Sequence, residues 1–434
     1  MSNTAVTNAR PKPLPRVTQR YYGWVIALVM GTAGAVSMGM CLFNFGLFIK
    51  PMGDELGLSR ATFGWAQSLR QVAGALSSPV LGRMVDRFGS RLLLPMSVVL
   101  TGAAMIGLSY TQTELHLLLA LSVIGVAGYA IPGGILTNVP VMKWFEHDRG
   151  RAMGLVSACS LIGGMVFLPL TQELIDRVGW RSAWFSLACF GIAVVVPLVL
   201  IFVRRQPEDF GLLPDGATAA EAADANTKEE QRYTAKQAMR TRSFWMLALI
   251  FTLMSVSIAS IGLHRIPAFM DRGLSPAWVA WAMALDSVLA GVASVATGLL
   301  ANRVGIRRIG ALGFGFLAAA CYLTIIAQDL WLMALSMAVF GVGIGIVMQM
   351  QNLIWPAFFG RAHVGSIRGV VMPVTLVVSA LSAPFAGYVY DTTGSYTSVW
   401  WVAVVLMSLG GILSLSVRRP PSQLSEHRLT QSEL

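Results

Sequence analysis

Apolar residues in this chain come in blocks far longer than a soluble helix or strand needs. They run over 22–49, 61–84, 92–110, 117–142, 152–172 and 183–203, and again over 244–267, 277–301, 309–327, 330–358, 364–390 and 399–417. About 20 apolar residues in a helix cross roughly 30 Å of hydrocarbon, so the pattern predicts twelve membrane-crossing helices, numbered here as spans 1 to 12. The polar intervals are short except for 204–242, which begins Arg204-Arg205-Gln206-Pro207 and then becomes rich in Ala, Glu, Asp and Lys. Such a stretch cannot bury enough apolar surface to fold alone. The expected organisation is therefore a tail (1–21), a six-helix bundle (22–203), a linker (204–242), a second six-helix bundle (243–417) and a second tail (418–434), an all-α membrane protein in two halves.

Composition confirms the class and charge gives the topology. Hydrophobic residues make up 55% of the 434 and charged residues 12%, where a soluble domain carries about 25% charged. The net charge of +11 sits in short clusters between apolar runs and forms no continuous basic face, which argues against nucleic acid as a partner. With both termini cytoplasmic, 25 of the 32 Lys and Arg residues lie inside and five lie outside (Lys50, Arg60, Arg177, Arg181, Arg272), leaving Arg70 and Arg265 within spans. The opposite orientation would invert the positive-inside bias. Residues ahead of span 1 are basic and proline-rich without a small-residue cleavage site, the composition of a cytoplasmic tail. All four cysteines fall inside spans, so no disulfide framework is expected.

The two halves are copies. Residues 58–91 align on 274–307 at a constant offset of 216, carrying Trp65 onto Trp281 and the loop Gly82, Asp86, Arg87, Gly89, Arg91 onto Gly298, Asn302, Arg303, Gly305, Arg307. Gly125 and Pro140 of span 4 fall on Gly341 and Pro356 of span 10, and Gly154, Asp176 and Gly179 fall on Gly369, Asp391 and Gly394 at offset 215. Parallel six-helix repeats around a midplane site are a transporter architecture. Under the offset Arg70 falls on Asp286, which places opposite charges at equivalent depths. Intramembrane charge is costly and marks a transport path by default. Arg70 offers a planar fork suited to carboxylate, Asp286 is a candidate proton relay, and the competing reading is a permanent Arg70–Asp286 pair that joins the halves. His264 and Arg265, late in span 7, are expected nearer the outer mouth, where they would attract anions or pair with an outer acid such as Asp271. No nucleotide site, metal cluster or catalytic constellation is evident, so no cofactor and no enzymatic role is expected.

The loop Gly82-x-x-x-Asp86-Arg87-x-Gly89-x-Arg91, with its echo after span 8, resembles the signature loop of the major facilitator superfamily, and the twelve spans and six-and-six split extend that likeness over nearly the whole chain. Its acids, arginines and tight glycine turns suit a gate element that latches helix ends. Pro207-Glu208-Asp209-x-Gly211-x-x-Pro214-Asp215-Gly216 and the glycines of span 4 are similar to bacterial monocarboxylate-transporter-like and oxalate/formate-exchanger-like members. The resemblance implies a path lined by spans 1, 2, 4, 7, 8 and 10, hence Asn44, Gln67, Gln71, Tyr129, Asn138, Gln349 and Asn352 beside Arg70, His264 and Arg265 as substrate-contacting residues. It also implies a basic residue on span 8 one turn before the signature glycine, where this chain has Ser294, and a span 11 lysine that this chain lacks. The expected function is secondary active transport of a small organic anion, a monocarboxylate, with protons, across a bacterial inner membrane. Membrane lipid is the other partner, and a monomer suffices. The alternatives are an exporter of an amphipathic or cationic compound, with Asp286 as cation site, and a non-transporting sensor on the same fold.

Overall fold

The structure, a computed structural model, describes residues 16–127, 135–145, 149–204, 233–360 and 364–420. Tyr129, most of the linker and most of both tails lie outside them. Nine of the described helices are long and apolar enough to cross a membrane. Three further crossings complete twelve. Helix Arg149–Phe202 is two spans that meet at Gly179, where φ is 79°. Span 4 is described in two pieces, Glu114–Ala127 and Ile135–Trp144. Span 2, Arg60–Phe88, has the length of a crossing but carries Gln67, Arg70, Gln71 and a basic end, so its composition is too polar to qualify. A helix that polar is stable in a bilayer only with its polar face turned to protein or water.

Two spans are irregular. Span 1 passes from helix Arg16–Ser37 through a π-helical turn, Met38–Phe43, to Phe45–Leu56. Span 11 breaks at Leu381 into Val364–Ala380 and Ser382–Thr393. Such breaks occur where backbone groups can be satisfied by protein or a cavity rather than lipid.

Each half buries its own apolar core. One is built from residues such as Ile26, Phe48, Phe63, Leu94 and Trp184, the other from Phe244, Phe314, Trp355 and Trp400. A third cluster joins the halves: Leu47 and Leu168 of the first pack with Ile266, Phe269, Val279 and Met283 of the second. These residues lie toward the end of the bundle remote from the termini, here the distal end. The same end is closed along another seam. A Cβ on Gly64 would meet the backbone of Pro384 at 2.6 Å, and one on Gly387 the backbone of Ala61 at 2.6 Å. Ser68 Oγ donates to Ala380 O just below that contact. Spans 2 and 11 thus touch backbone to backbone, and Arg70 sits one half-turn beneath the seal.

The duplication is visible in three dimensions. Gly89 and Gly305 take φ of 77° and 89° and turn the chain directly from span 2 into span 3 (Ser90–Ser109) and from span 8 (Pro276–Val304) into span 9 (Ile306–Ile326). A side chain would strain there. Arg91 Nη2 donates to Leu200 O at 3.1 Å, and Arg307 Nη1 donates to Val417 O at 2.8 Å. In both halves the last arginine of the loop therefore caps the carbonyl end of the bundle's final helix, where the helix dipole favours a cation.

Candidate functional site

Asp286 and Arg265 form the central feature. The Arg265 Nη2 donates to Asp286 Oδ2, and both residues are buried, 1% and 6% exposed. This corrects the expectation that Asp286 faces Arg70 across the halves: its partner comes from the neighbouring span of its own half. Spans 7 (Arg242–Asp271) and 8 (Pro276–Val304) form a hairpin about the turn at 272–275, with Arg265 six residues before the end of one and Asp286 ten residues after the start of the other. The Arg265 backbone therefore lies nearer the distal end than Asp286, and its side chain reaches along the hairpin to the acid.

The guanidinium is under-satisfied. Nη2 also approaches Met283 Sδ at 3.2 Å, and the Phe340 ring lies against its face, centroid 4.2 Å from Cζ. Nε and Nη1, both buried, have no partner among the described residues. A buried unpaired donor is expensive, and a protein keeps one where a ligand or water completes it. The two edges of a guanidinium that grip a carboxylate, Nε with Nη2 and Nη1 with Nη2, both include Nη2. Asp286 occupies that shared nitrogen.

Close helix approach positions the acid. A Cβ on Gly341 of span 10 (Leu330–Phe359) would meet Asp286 O, and Asp286 Oδ1 at 2.8 Å. Its repeat partner Gly125 faces Arg70 O in the same way. Glycine is required at both because the facing backbone leaves no room. Arg70 itself is buried, 6% exposed.

The remaining expected residues divide. Asn44 is fully buried, donates from Nδ2 to Thr171 Oγ1 at 2.6 Å, and leaves Oδ1 unpartnered. Gln67 is half-buried with a buried, unpartnered Oε1. Gln71 and Asn138 are half-buried. Gln349 accepts from Ser294 Oγ at 3.4 Å, which joins spans 8 and 10 at the position where the resemblance led us to expect a basic residue. Asn352 is exposed. His264 is engaged by the protein: Nε2 donates to Ala383 O at 2.8 Å and Nδ1 accepts from Tyr396 OH at 3.1 Å. Burial pushes the Tyr396 phenol above its ordinary pKa, which keeps it a donor. Both imidazole nitrogens are thereby committed to protein groups on the span 11–12 side, in contrast to the substrate contact that the resemblance implied for His264. Of the gate loops, Arg87 is exposed with its guanidinium 5.2 Å from the Phe88 ring, and Arg303 is exposed.

Sequence reasoning missed a second charged cluster, at the distal end. Asp271 gathers Lys50, Arg60 and Tyr390, while Asp391 accepts from the backbone amides of Arg60 at 3.0 Å and Ala61 at 2.9 Å. The isolated loop residues gave no signal, because their partners lie in the other half.

With the geometry in hand, comparison with known proteins places the chain. The sequence pattern of the Major Facilitator Superfamily matches residues 31–270 and again residues 266–432. The chain belongs to the Major Facilitator Superfamily. Among superfamily members, monocarboxylate transporter 13 of Bos taurus is 24% identical over 400 residues, covering 90% of this chain and 88% of that protein. The oxalate:formate antiporter of Oxalobacter formigenes is 27% identical over 276 residues, covering 63% and 62%. The crystal structure of the nucleoside transporter NupG superposes with a TM-score of 0.71 at 11% identity, covering 91% of this chain and 99% of that one, and so supports the fold alone. The chain is a multi-pass membrane transporter of this superfamily.

Proposed function

We propose that the protein is a secondary active transporter that carries a small organic anion, a monocarboxylate, together with a proton by alternating access, with both termini cytoplasmic and the closed distal end facing outward. The observation that carries this reading is the buried Arg265–Asp286 pair with two guanidinium nitrogens left unpartnered. A carboxylate gripping Arg265 along either edge must take Nη2 from Asp286. Neutralising Asp286 with a proton weakens its hold on Nη2, so anion and proton bind together. Arg265 is then the primary anchor, Asp286 the proton carrier, and Arg70 a second cation at the equivalent depth of the other half. Gln67, Gln71, Asn44, Asn138 and Gln349 are the polar groups that select the remainder of the molecule, with Phe340 covering the guanidinium face. The relatives named for monocarboxylates and for oxalate and formate support the substrate class.

The test is uptake into proteoliposomes of the purified protein with acetate, lactate, benzoate and oxalate, with and without an inward proton gradient. The reading expects gradient-driven accumulation of a monocarboxylate. Arg265→Ala should abolish it, while Asp286→Asn should retain counterflow and lose the response to the gradient. Normal gradient-driven uptake by Arg265→Ala would sink the reading.

A further inference from the structure

At the distal end one carboxylate of the protein is bound as a receptor binds a ligand. Asp271 Oδ1 accepts from Lys50 Nζ at 2.9 Å and from Arg60 Nη2 at 3.1 Å, and Oδ2 accepts from Arg60 Nη2 at 3.2 Å and from Tyr390 OH at 3.0 Å. Four contacts fill the lone-pair positions a carboxylate offers. The donors still outnumber it. Arg60 has a side chain only 11% exposed, and its Nη1 is buried without a partner among the described residues. The other acids nearby do not answer that need: Asp54 reaches Lys50 only at 4.0 Å and is largely exposed, and Asp391 is taken up by the amides at the start of span 2.

The cluster is divided between the halves. Lys50 and Arg60 belong to the first, Asp271 and Tyr390 to the second. When the distal end opens, Asp271 recedes with its half and the two cations are left facing the vestibule. We propose that Lys50 and Arg60 form an outer carboxylate-binding subsite, occupied by Asp271 in the closed state and by the cargo's carboxylate in the open one. Asp271 is thus a tethered competitor that displaces the arriving anion on closure and releases it inward toward Arg265. The repeat holds no second copy of this subsite, since the positions equivalent to Lys50 and Arg60 are Ile266 and Pro276.

The subsite rests on the organic-anion reading, and the experiment separates the two. Arg60→Gln and Asp271→Asn break the same contact, so a latch alone would move transport in the same direction in both variants. A binding subsite moves it in opposite directions. Half-saturation is measured with the full chain for acetate, lactate, benzoate and oxalate, entering from the distal face in whole cells and from the opposite face in inverted vesicles. For the acid the parent carries, Arg60→Gln should raise the distal-face value about tenfold, the factor one charge-assisted hydrogen bond supplies, and leave the opposite face unchanged. Asp271→Asn, which removes the competitor, should lower the distal-face value. Shifts of the same sign in both variants overturn the subsite. If the parent carries none of the four acids, the organic-anion reading fails and the subsite is judged by calorimetric titration of benzoate into purified Asp271→Asn. Binding that disappears in Arg60→Gln/Asp271→Asn upholds it, and absence of binding to Asp271→Asn overturns it.

Discussion

Replacing Asp286 by alanine isolates what the central pair contributes. A guanidinium stays charged in proteins, and the substitution strips the charged partner from one that is 1% exposed and has Nε and Nη1 unpaired among the described residues. What remains around it is Met283 sulfur at 3.2 Å and the face of Phe340 at 4.2 Å. An uncompensated buried charge costs about 3–5 kcal/mol, and the ring face returns at most about 2 of that. Replacing the cation instead, with Arg265→Met, leaves a carboxyl group that can take up a proton and become neutral. Its cost should fall to about 1–3 kcal/mol, the penalty for an imperfectly bonded neutral group. The double variant Arg265→Met/Asp286→Ala removes both charges and should be more stable than Asp286→Ala alone. The assay is reversible unfolding of the four proteins in mixed micelles, followed by loss of helical ellipticity. An Asp286→Ala cost below about 1 kcal/mol would show the guanidinium to be hydrated rather than held dry, and a double variant no more stable than Asp286→Ala would remove the pair from the account.

Three further outcomes follow from the packing. Gly341→Ala should lower stability by about 1–3 kcal/mol and depress transport because the new methyl meets the backbone and carboxylate of Asp286, whereas Gly315→Ala, with open space at its face, should be neutral in the same unfolding assay. Arg307→Ala removes the cap on Val417 O and should cost about 1 kcal/mol, with Arg91→Ala matching it through Leu200 O, as measured by the same unfolding titration. Tyr396→Phe leaves buried His264 Nδ1 without its donor and should cost about 1–3 kcal/mol, while the half-saturation for transport stays near that of the parent because His264 faces spans 11 and 12.

Most of the fold was legible because each signal is local or repeats. Apolar runs mark crossings wherever they occur, and the offset of 216 carries Gly125 to Gly341 and Arg91 to Arg307 without knowledge of any contact. Depth was partly legible, since the offset sets Arg70 and Asp286 at equivalent positions of the two repeats, but which cation meets Asp286 was not. The pairing itself depends on helix rotation, which a run of apolar residues leaves unspecified when polar residues are sparse. The distal cluster was less accessible still. Asp271 and Arg60 are 211 residues apart, and each looks like an ordinary loop charge until spans 2 and 11 are brought together.

The two seams that close the distal end differ in kind although the halves that form them are copies. Between spans 5 and 8 the contact is apolar, with Leu168 against the cluster of Val279, Ala280 and Met283. Between spans 2 and 11 it is polar, with Asp391 on the amides of Arg60 and Ala61 and Ser68 on Ala380 O. Substitution at equivalent positions accounts for the difference. Pro276 stands where the first half has Arg60 and has no amide hydrogen to offer, and Asp176, the counterpart of Asp391, accepts instead from Gln172 of its own helix at 2.8 Å. An apolar contact is non-directional and tolerates rotation with little loss, whereas hydrogen bonds weaken steeply once their angles change. Opening should therefore pivot on the spans 5 and 8 side and part along spans 2 and 11, which is the side where Lys50 and Arg60 wait.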